Sequence, residues 1–232
     1  MELRNAVVFI TGANRGLGLA FAREALERGA RKVYAAARDP SAVRLAGVEP
    51  IKLDVTRPDE VAAAAAHARD VTVLINNAGI AATGGFLAPG SADSARRHLE
   101  TNLIGPLLTA QAFAPVLAAN GGGALLNVLS IASWINRPLL GVYGMSKSAA
   151  WALTNGLRHE LREQGTQVLG LHMGFVDTDL TRGIDAPKAT PQAIVRLALD
   201  GLEAGAEEVL ADEATLQVKQ GLSASPSIYL QA

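Results

Sequence analysis

The sequence predicts an α/β protein with a doubly wound, seven-stranded, mostly parallel sheet and helices on both of its faces. Short apolar runs alternate along the chain with longer runs whose apolar residues recur at helical spacing. The short runs are apolar throughout, which is typical of strands that helices cover on both sides. Right-handed connections between such units place the strands in one parallel sheet. We expect a single domain, 1–232, because no linker or internal repeat divides the chain.

The two kinds of run set the expected order of elements. The short apolar runs predict strands at Ala6–Thr11, Lys32–Ala37, Ile51–Val55, Val71–Ile75, Ala124–Leu129, Gln167–Met173 and Glu208–Ala211. Helical spacing predicts helices at Gly16–Arg28, Asp59–Ala68, Asp93–Ala118 with a bend near Pro106, Tyr143–Gln164 and Pro191–Ala204. The Gly/Ala/Pro-rich stretch Ala81–Ser91 is expected to be a loop, and the chain after Glu213 has the weakest signal for regular structure.

Composition excludes several classes of function. Cysteine is absent, so disulfide, thiolate and cysteine-ligated metal chemistry are excluded. The four histidines (His67, His98, His159 and His172) lie far apart without metal-ligand spacing, and we expect no metal site. A formal net charge of -1 gives no global field that would attract nucleic acid or an anionic membrane.

We expect no targeting or membrane segment. The N-terminal apolar run Ala6–Ile10 is short and ends at Thr11 without a small-residue cleavage site. The sequence has no apolar stretch that approaches the roughly 20 residues of a membrane-spanning helix. The prediction is therefore a cytoplasmic protein that binds neither nucleic acid nor membrane.

A glycine-rich turn follows the first predicted strand and opens the first predicted helix. It reads T-G-A-N-R-G-L-G over Thr11–Gly18. Glycine permits a tight turn and a close approach of the backbone to a pyrophosphate, and the helix N-terminus offers free N–H groups. The strand–turn–helix context favours a dinucleotide site, although the spacing is not the common G-x-G-x-x-G. Its candidate cofactor-binding residues are Gly12, Asn14, Arg15, Gly16, Leu17 and Gly18.

A second motif, Y-x-x-x-K, joins Tyr143 and Lys147. Residues four apart on a helix lie on the same face, about 6 Å apart at Cβ. A nearby ammonium favours phenolate and lowers the pKa of a tyrosine from its ordinary value of about 10. The pair is therefore a candidate for proton transfer near neutral pH.

Together these motifs and three others resemble the short-chain dehydrogenase/reductase family, in its standard-size branch and across nearly the whole chain. The other three are N-N-A-G at Asn76–Gly79, N-x-x-G at Asn102–Gly105, and Ser130 at the family's usual interval before Tyr143. The resemblance implies a Rossmann-type fold and hydride transfer between a nicotinamide cofactor and a carbonyl or alcohol.

The resemblance implies a catalytic tetrad of Asn102, Ser130, Tyr143 and Lys147. Tyr143 would exchange the proton with the substrate oxygen, and Ser130 would orient that oxygen through a hydrogen bond. Lys147 would bind the nicotinamide ribose and tune Tyr143. Asn102 would hold a water in a proton relay behind Lys147.

Further cofactor contacts are implied at segments that follow other strands. They comprise Asp54 and Val55, then Asn77, Ala78 and Gly79, and finally Gly174, Val176 and Thr178, beside Tyr143 and Lys147 themselves. In the family's P-G-x-V-x-T segment this chain has Met173 in place of proline. We expect that change to loosen the turn that shapes the nicotinamide pocket.

The end of the second strand predicts NADP(H) rather than NAD(H). An acid there would accept hydrogen bonds from the adenosine ribose, but this chain has Ala37 followed by Arg38. With Arg15 in the glycine turn, two guanidiniums can clamp a 2′-phosphate. Asp39 is expected to belong to the following loop.

The segments expected to line the substrate pocket are mostly apolar, which predicts a hydrophobic ketone or aldehyde as substrate. Few residues separate Thr178 from Pro191, so we expect a short lid and a small or shallowly bound substrate. Alternatives are an enzyme that mainly oxidises alcohols and a catalytically silent dinucleotide sensor. The family usually assembles through its two long central helices, which predicts a homodimer or homotetramer. The candidate pocket residues are Trp134, Leu139, Leu140, Phe175 and Leu180.

Overall fold

The computed structural model of the protein describes residues 1–231 and is built around one sheet. Its strands are β1 Val7–Thr11, β2 Lys32–Ala37, β3 Glu49–Lys52, β4 Val73–Asn76, β5 Ala124–Val128, β6 Gln167–His172 and β7 Glu208–Leu210. They are ordered β3-β2-β1-β4-β5-β6-β7. Every neighbouring pair is parallel, so the predicted doubly wound sheet is confirmed and contains no antiparallel pair among residues 1–231.

Helices cover both faces of this sheet. They are α1 Gly16–Glu27, α2 Pro58–His67, α3 Ser91–Leu99, α4 Gly105–Ala119, α5 Gly141–Glu160, α6 Pro191–Glu203 and α7 Glu213–Gly221. Successive residues of a strand point to opposite faces. In β1, Val8 and Ile10 pack with α1 and α6, whereas Val7 and Phe9 pack with α2, α4 and α5. The continuously apolar strands of the sequence are therefore explained by two separate hydrophobic cores.

Between α3 and α4 a π-helical segment, Glu100–Ile104, keeps the chain helical from Ser91 to Ala119. Pro106 lies two residues after this segment and has no N–H to donate to the preceding turn, which accounts for an irregularity near the predicted bend. By length and hydropathy alone this 29-residue helix is able to cross a membrane, contrary to our expectation from the sequence. Its contacts with α2, α5, β4 and β5 are those of a helix packed on a sheet.

Two differences from the prediction have a clear local cause. Strand β3 begins two residues and ends three residues earlier than expected, because Asp54 turns the chain: its Oδ1 accepts hydrogen bonds from the Thr56 N–H at 3.0 Å and the Thr56 hydroxyl at 2.8 Å. Helix α7 forms where little regular structure was expected. Asp212 begins it as an N-cap that accepts from the Thr215 N–H.

Candidate active site

The carboxyl ends of the central strands surround a cavity of about 760 Å³. Strand order reverses at β1 and β4, because β2 and β3 lie on one side of β1 and the later strands on the other. In open α/β sheets this crevice is where ligands bind. The loops after β1, β2, β4, β5 and β6 all contribute to the lining.

The glycine turn has the geometry of a phosphate cradle. Gly12 and Gly16 both line the cavity and have positive φ angles, 68° and 54°, which side chains disfavour. A Cβ at Gly12 would lie 3.0 Å from the Ala78 Cα. Helix α1 begins after Arg15 with no side chain capping its first N–H groups and no acid in its first turn. These donors face an anion-binding position, so the turn fits a dinucleotide pyrophosphate.

Gly18 differs from the other residues of the turn. It does not line the cavity, and a Cβ there would lie 2.1 Å from the Gly12 carbonyl oxygen. Its predicted role as a cofactor contact is therefore corrected: Gly18 allows α1 to pack against the turn. Asn14, Arg15 and Leu17 do line the cavity, as expected.

Asn77 and Thr11 join the glycine turn to the end of β4. The Asn77 side-chain amide donates to the carbonyl oxygens of Thr11 at 2.9 Å and Gly12 at 3.1 Å. The Thr11 hydroxyl accepts from the backbone N–H groups of Asn77 and Ala78, both at 3.0 Å. Asn77, Ala78 and Gly79 all line the cavity, but the Asn77 amide is already bonded to the turn. Its side chain therefore shapes the site in addition to lining it.

Tyr143 and Lys147 project from α5 into the same cavity. The Lys147 ammonium donates to the Val128 carbonyl oxygen at 2.7 Å, and its Nζ lies 5.9 Å from the centre of the Tyr143 ring. Burial lowers the pKa of Lys147 to about 8. A lysine so close to neutrality is able to gain and lose a proton within the working pH range of an enzyme.

The pKa of Tyr143 moves in the direction opposite to our expectation. Burial raises it, and the nearby Ser130 hydroxyl partly opposes that rise. The Lys147 ammonium is 5.9 Å from the ring centre and is bonded to Val128, so desolvation of the phenolate outweighs its attraction. The Tyr143 phenol is therefore protonated at neutral pH.

Asn102 lies in the π-helical segment behind Lys147 and is fully engaged in hydrogen bonds. Its Oδ1 accepts from the Ile80 N–H, and its Nδ2 donates to the Ile80 carbonyl and the Ser146 hydroxyl, each at 2.9 Å. A Cβ on Gly79 would lie 3.2 Å from the Asn102 Oδ1 and 3.9 Å from the Lys147 Nζ. Asn102 is buried and does not line the cavity, so the structure places it in support of the loop after β4.

Two arginines line one end of the cavity, where the end of β2 carries no acid. Arg15, Ala37 and Arg38 line the cavity. Asp39 does not; its carboxylate accepts from the Ser41 N–H and hydroxyl and caps a short 3-10 helix. Asp54 and Val55 line the cavity as expected. The pKa of Asp54 is lowered, because the Thr56 hydrogen bonds outweigh the opposing effect of its burial.

Hydrogen bonds hold the loop after β6 in place, although it lacks the family's proline. Its residues Gly174, Val176 and Thr178 line the cavity as predicted. The Ile131 N–H donates to the Met173 carbonyl at 2.9 Å, and the Gly174 N–H donates to the Asp212 carboxylate at 2.6 Å. Val176 pairs with Ala189 in an isolated parallel bridge. Hydrogen bonds therefore supply the restraint that a proline ring would give.

Three of the five residues predicted for the substrate pocket line the cavity. Leu140, Phe175 and Leu180 face the cavity, with Ile80 and Ile131 nearby. Trp134 and Leu139 do not line it. The Trp134 ring stacks on His172, with 4.0 Å between centroids, and Leu139 is exposed on the surface. Stacking on β6 turns the Trp134 indole away from the cavity, so these two assignments are wrong.

Three residues that support the site were missed by the sequence analysis. Ser146 accepts from Asn102, and Asn127 in β5 donates to the Thr154 hydroxyl at 2.9 Å beneath the site. The signal for Asn127 was an asparagine inside an otherwise apolar strand. Asp212 carried no local signal, because its partner Gly174 is distant in the sequence.

The fold and this cavity define a dinucleotide-binding oxidoreductase. The family model for short chain dehydrogenases matches residues 6–189. The chain therefore belongs to the short-chain dehydrogenase/reductase family, whose members transfer hydride with a nicotinamide cofactor.

Individual relatives agree with this assignment. A short chain dehydrogenase from Burkholderia cenocepacia, solved in complex with NADP, is 38% identical with a TM-score of 0.94, covering 97% of this chain and 96% of that one. A Burkholderia phymatum family member in complex with NAD is 26% identical with a TM-score of 0.87, covering 95% and 94%. The bovine dehydrogenase/reductase SDR family member 7B is 33% identical over 77% of this chain, and the match spans 60% of the bovine protein.

Proposed function

We propose that this protein is an NADP(H)-dependent reductase that acts on small, mostly apolar ketones or aldehydes. The observation that carries the proposal is the convergence of Ser130, Tyr143 and Lys147 on one cavity whose other end holds Arg15 and Arg38. When bound, the nicotinamide supplies the hydride for reduction or accepts it in the reverse reaction. The chain's own residues then have to bind and orient the cofactor and the substrate, and to transfer one proton.

Tyr143 is the proposed proton donor to the substrate oxygen. Its raised pKa keeps the phenol protonated at neutral pH, as reduction requires. Ser130 lines the same cavity as Tyr143, and its hydroxyl is proposed to orient the substrate oxygen. Lys147, with its pKa of about 8, is proposed to bind the nicotinamide ribose and to restore the Tyr143 proton.

Asn102 is proposed to support this proton path by position. Both polar atoms of its side chain are bonded to Ile80 and Ser146. We therefore propose that Asn102 fixes the Ile80 backbone behind Lys147. A water of the proton relay would lie beside that backbone. Oxidation of an alcohol uses the same groups in reverse, so the geometry supports both directions.

The preference for NADP(H) rests on charge at the adenosine end. Arg15 and Arg38 are the cations there, and Ala37 leaves no acid at the end of β2. A guanidinium forms charge-assisted, paired hydrogen bonds with a phosphate. The NADP complex of the 38% identical Burkholderia cenocepacia protein supports this proposal, and the NAD complex of the 26% identical relative makes the comparison of both cofactors necessary.

The proposed substrate class follows from the apolar end of the cavity. Leu140, Phe175 and Leu180 form its wall, and the half-exposed Leu180 lies at the mouth. Only a short 3-10 helix, Asp179–Thr181, and a loop separate Thr178 from α6. Such a short cover fits a small or shallowly bound carbonyl compound.

The direct test is NADPH oxidation by the purified protein with a panel of aryl, alicyclic and aliphatic carbonyls. A parallel arm uses NADH, and Tyr143→Phe is the matched variant because it removes only the phenol oxygen. We expect turnover with NADPH and its loss in Tyr143→Phe. Cofactor binding without turnover of any panel member in either direction would favour the dinucleotide sensor. Better turnover of bulky polycyclic ketones than of small aryl ketones would contradict the substrate class.

We also propose a homodimer or homotetramer that assembles through the outer faces of α4 and α5. Helix α4 is apolar on nearly all sides, yet Pro115 and Ala118 on its outer face are exposed. A helix that is apolar all round is normally covered on every side. Leu107→Glu places a charge on this face and is expected to lower the mass measured by light scattering. An unchanged mass would place the interface elsewhere.

A further inference from the structure

A carboxylate from the C-terminal part of the chain holds the loop after β6. Asp212 Oδ2 accepts a hydrogen bond from the Gly174 N–H at 2.6 Å. Its Oδ1 accepts from the Thr215 N–H at 2.8 Å and the Thr215 hydroxyl at 2.7 Å. One side chain therefore begins α7 and, at the same time, anchors a backbone segment of the candidate active site.

The anchored segment lines the same cavity as the proposed catalytic groups. Met173, Gly174 and Phe175 line the cavity together with Tyr143 and Lys147. A hydrogen bond from a backbone N–H to an ionised carboxylate is roughly twice as strong as a neutral one. A Cβ on Gly174 would lie 3.3 Å from Asp212 Oδ2, so the absence of a side chain permits this approach. Asp212 supplies a restraint at the point where Met173 provides no ring.

Helix α7 is itself fixed to the catalytic side of the sheet. Lys219 pairs with Glu208 of β7 at 2.8 Å, and its ammonium lies 4.8 Å from the Trp134 ring centre. Trp134 stacks on His172, whose Nδ1 lies 3.2 Å from the Ser130 carbonyl oxygen. These contacts hold α7 at a second point, so Asp212 projects from a fixed base.

We propose that Asp212 is a positioning residue for the nicotinamide end of the site, acting through the Gly174 backbone. Asp212 lies outside residues 6–189, the part of the chain that the family model matches. The inference rests on the proposed function, because the Gly174 loop is assigned to the nicotinamide side. It goes beyond that function by adding a residue that touches neither substrate nor cofactor.

Two substitutions at the same position separate this role from helix capping. Asp212→Ser keeps a hydroxyl that caps α7 but is too short to reach Gly174 as well. Asp212→Asn keeps an oxygen for the Gly174 N–H, while its amide nitrogen cannot accept from Thr215. Thr190→Ala removes the equivalent cap of α6, which accepts from the Ala193 N–H, and leaves Gly174 untouched.

We expect kcat to follow the Gly174 bond rather than the thermal midpoint. Asp212→Ser should lower kcat roughly tenfold or more, since small displacements of a reacting group are costly. Its Kd for NADPH should change less than threefold, because the phosphates and adenosine bind elsewhere. Asp212→Asn should recover most of kcat although it loses the cap. Thr190→Ala should lower the thermal midpoint and leave kcat within twofold.

The fluorescence of bound NADPH, or of NADH if that cofactor binds better, provides a measurement that needs no substrate. In Asp212→Ser the nicotinamide emission at saturation should move toward that of the free cofactor. Equal kcat in wild type and Asp212→Ser, or unchanged emission, overturns the role of Asp212. Loss of activity that follows thermal stability equally in all three variants overturns it as well. If the wild type reduces no carbonyl, the proposed function fails, and the emission still decides this inference.

Discussion

The Arg15 guanidinium and the Asp179 carboxylate form an ion pair, with Nη1 2.9 Å from Oδ2. The pair joins the glycine turn to the loop after β6, and both residues line the cavity. The Arg15 hydrogen bond and then the nearby Arg182 lower the pKa of Asp179. Because Arg182 also bonds to this carboxylate, Asp179 remains paired with a cation when Arg15 moves to bind another anion.

Asp179→Asn is expected to strengthen NADPH binding about two- to fivefold, because it removes an exposed ion pair that competes for Arg15. NADH has no 2′-phosphate, so its affinity for Asp179→Asn should equal its affinity for wild type. Fluorescence titration measures both affinities, and Asp185→Asn, an exposed acid of the same loop, is the control. The gain should vanish in an Arg15→Ala background. Equal tightening of NADH would show that the effect does not involve Arg15 and the phosphate.

Lys147→Met is expected to make the protein more stable at pH 7, although it removes a group that we propose to be catalytic. The folded pKa of Lys147 is about 8 and its ordinary value is 10.5, so at pH 7 burial of the ammonium costs about 3 kcal/mol. Loss of the Val128 hydrogen bond offsets roughly 1 kcal/mol of the gain. Between pH 8 and 10.5 the unfolded chain binds more protons, so wild-type stability rises with pH.

Urea unfolding at pH 7 and pH 9.5 tests this, with the exposed Lys52→Met as control. The advantage of Lys147→Met should shrink by about 2 kcal/mol between the two pH values, whereas Lys52→Met should differ equally from wild type at both. A constant difference for Lys147→Met would mean that its ammonium is not desolvated.

His172 should make the protein sensitive to acid. Burial lowers its pKa from 6.5 to about 4, and it is fully buried beneath Trp134. With a pKa of about 4, His172 is neutral at pH 7. Its 3.5 Å contact with Glu208 is therefore not an ion pair at that pH. Between pH 6.5 and 4 the unfolded chain binds more protons, and stability is lost as pH falls through that range.

We expect wild type to lose about 2–3 kcal/mol more than His172→Asn between pH 7.5 and 4.5. Asparagine keeps an N–H donor for the Ser130 carbonyl but does not titrate. Chemical denaturation at the two pH values measures the difference, and the exposed His159→Asn serves as the control. Parallel losses in wild type and His172→Asn would assign acid sensitivity to other groups.

Gly18→Ala is expected to destabilise the fold by about 1–3 kcal/mol, because its Cβ would lie 2.1 Å from the Gly12 carbonyl oxygen. The glycine turn must shift to admit it, so NADPH affinity should fall as well. Gly156→Ala in α5 is the matched control, since its Cβ would meet nothing within 4 Å. That variant should be neutral or more stable by about 0.5–1 kcal/mol. Equal effects of both variants would contradict the packing role of Gly18.

The sequence was sufficient to predict the sheet, the glycine turn and the grouping of Ser130, Tyr143 and Lys147. The sheet, the glycine turn and the Tyr143–Lys147 pair depend on local patterns: apolar runs, glycine at fixed spacing and residues four apart on a helix. The place of Ser130 beside them was implied by the family resemblance. The pKa of Tyr143 was not predictable in this way, because its direction depends on burial by several segments. The orientation of Trp134 depends on stacking with His172, a contact between distant parts of the chain.

The C-terminal helix was the largest omission. Its apolar residues are sparse, and Thr215 and Val218 are the buried ones. What stabilises it comes from outside: the Asp212 bridge to Gly174 and the Lys219 contacts with Glu208 and Trp134. Tertiary contacts of this kind leave no periodic signal in the helix itself.

The bridge between Gly174 and Asp212 also has a meaning for synthesis of the chain. A ribosome adds about 5–20 residues per second, so the glycine turn, Tyr143 and Lys147 emerge some seconds before Asp212 does. During that interval the nascent chain holds its chemical groups without the anchor of the loop that completes their enclosure. Ribosome-bound chains that stop short of Asp212 should therefore bind NADPH with an emission close to that of the free cofactor, and chains that extend past α7 should show the emission of the complete protein.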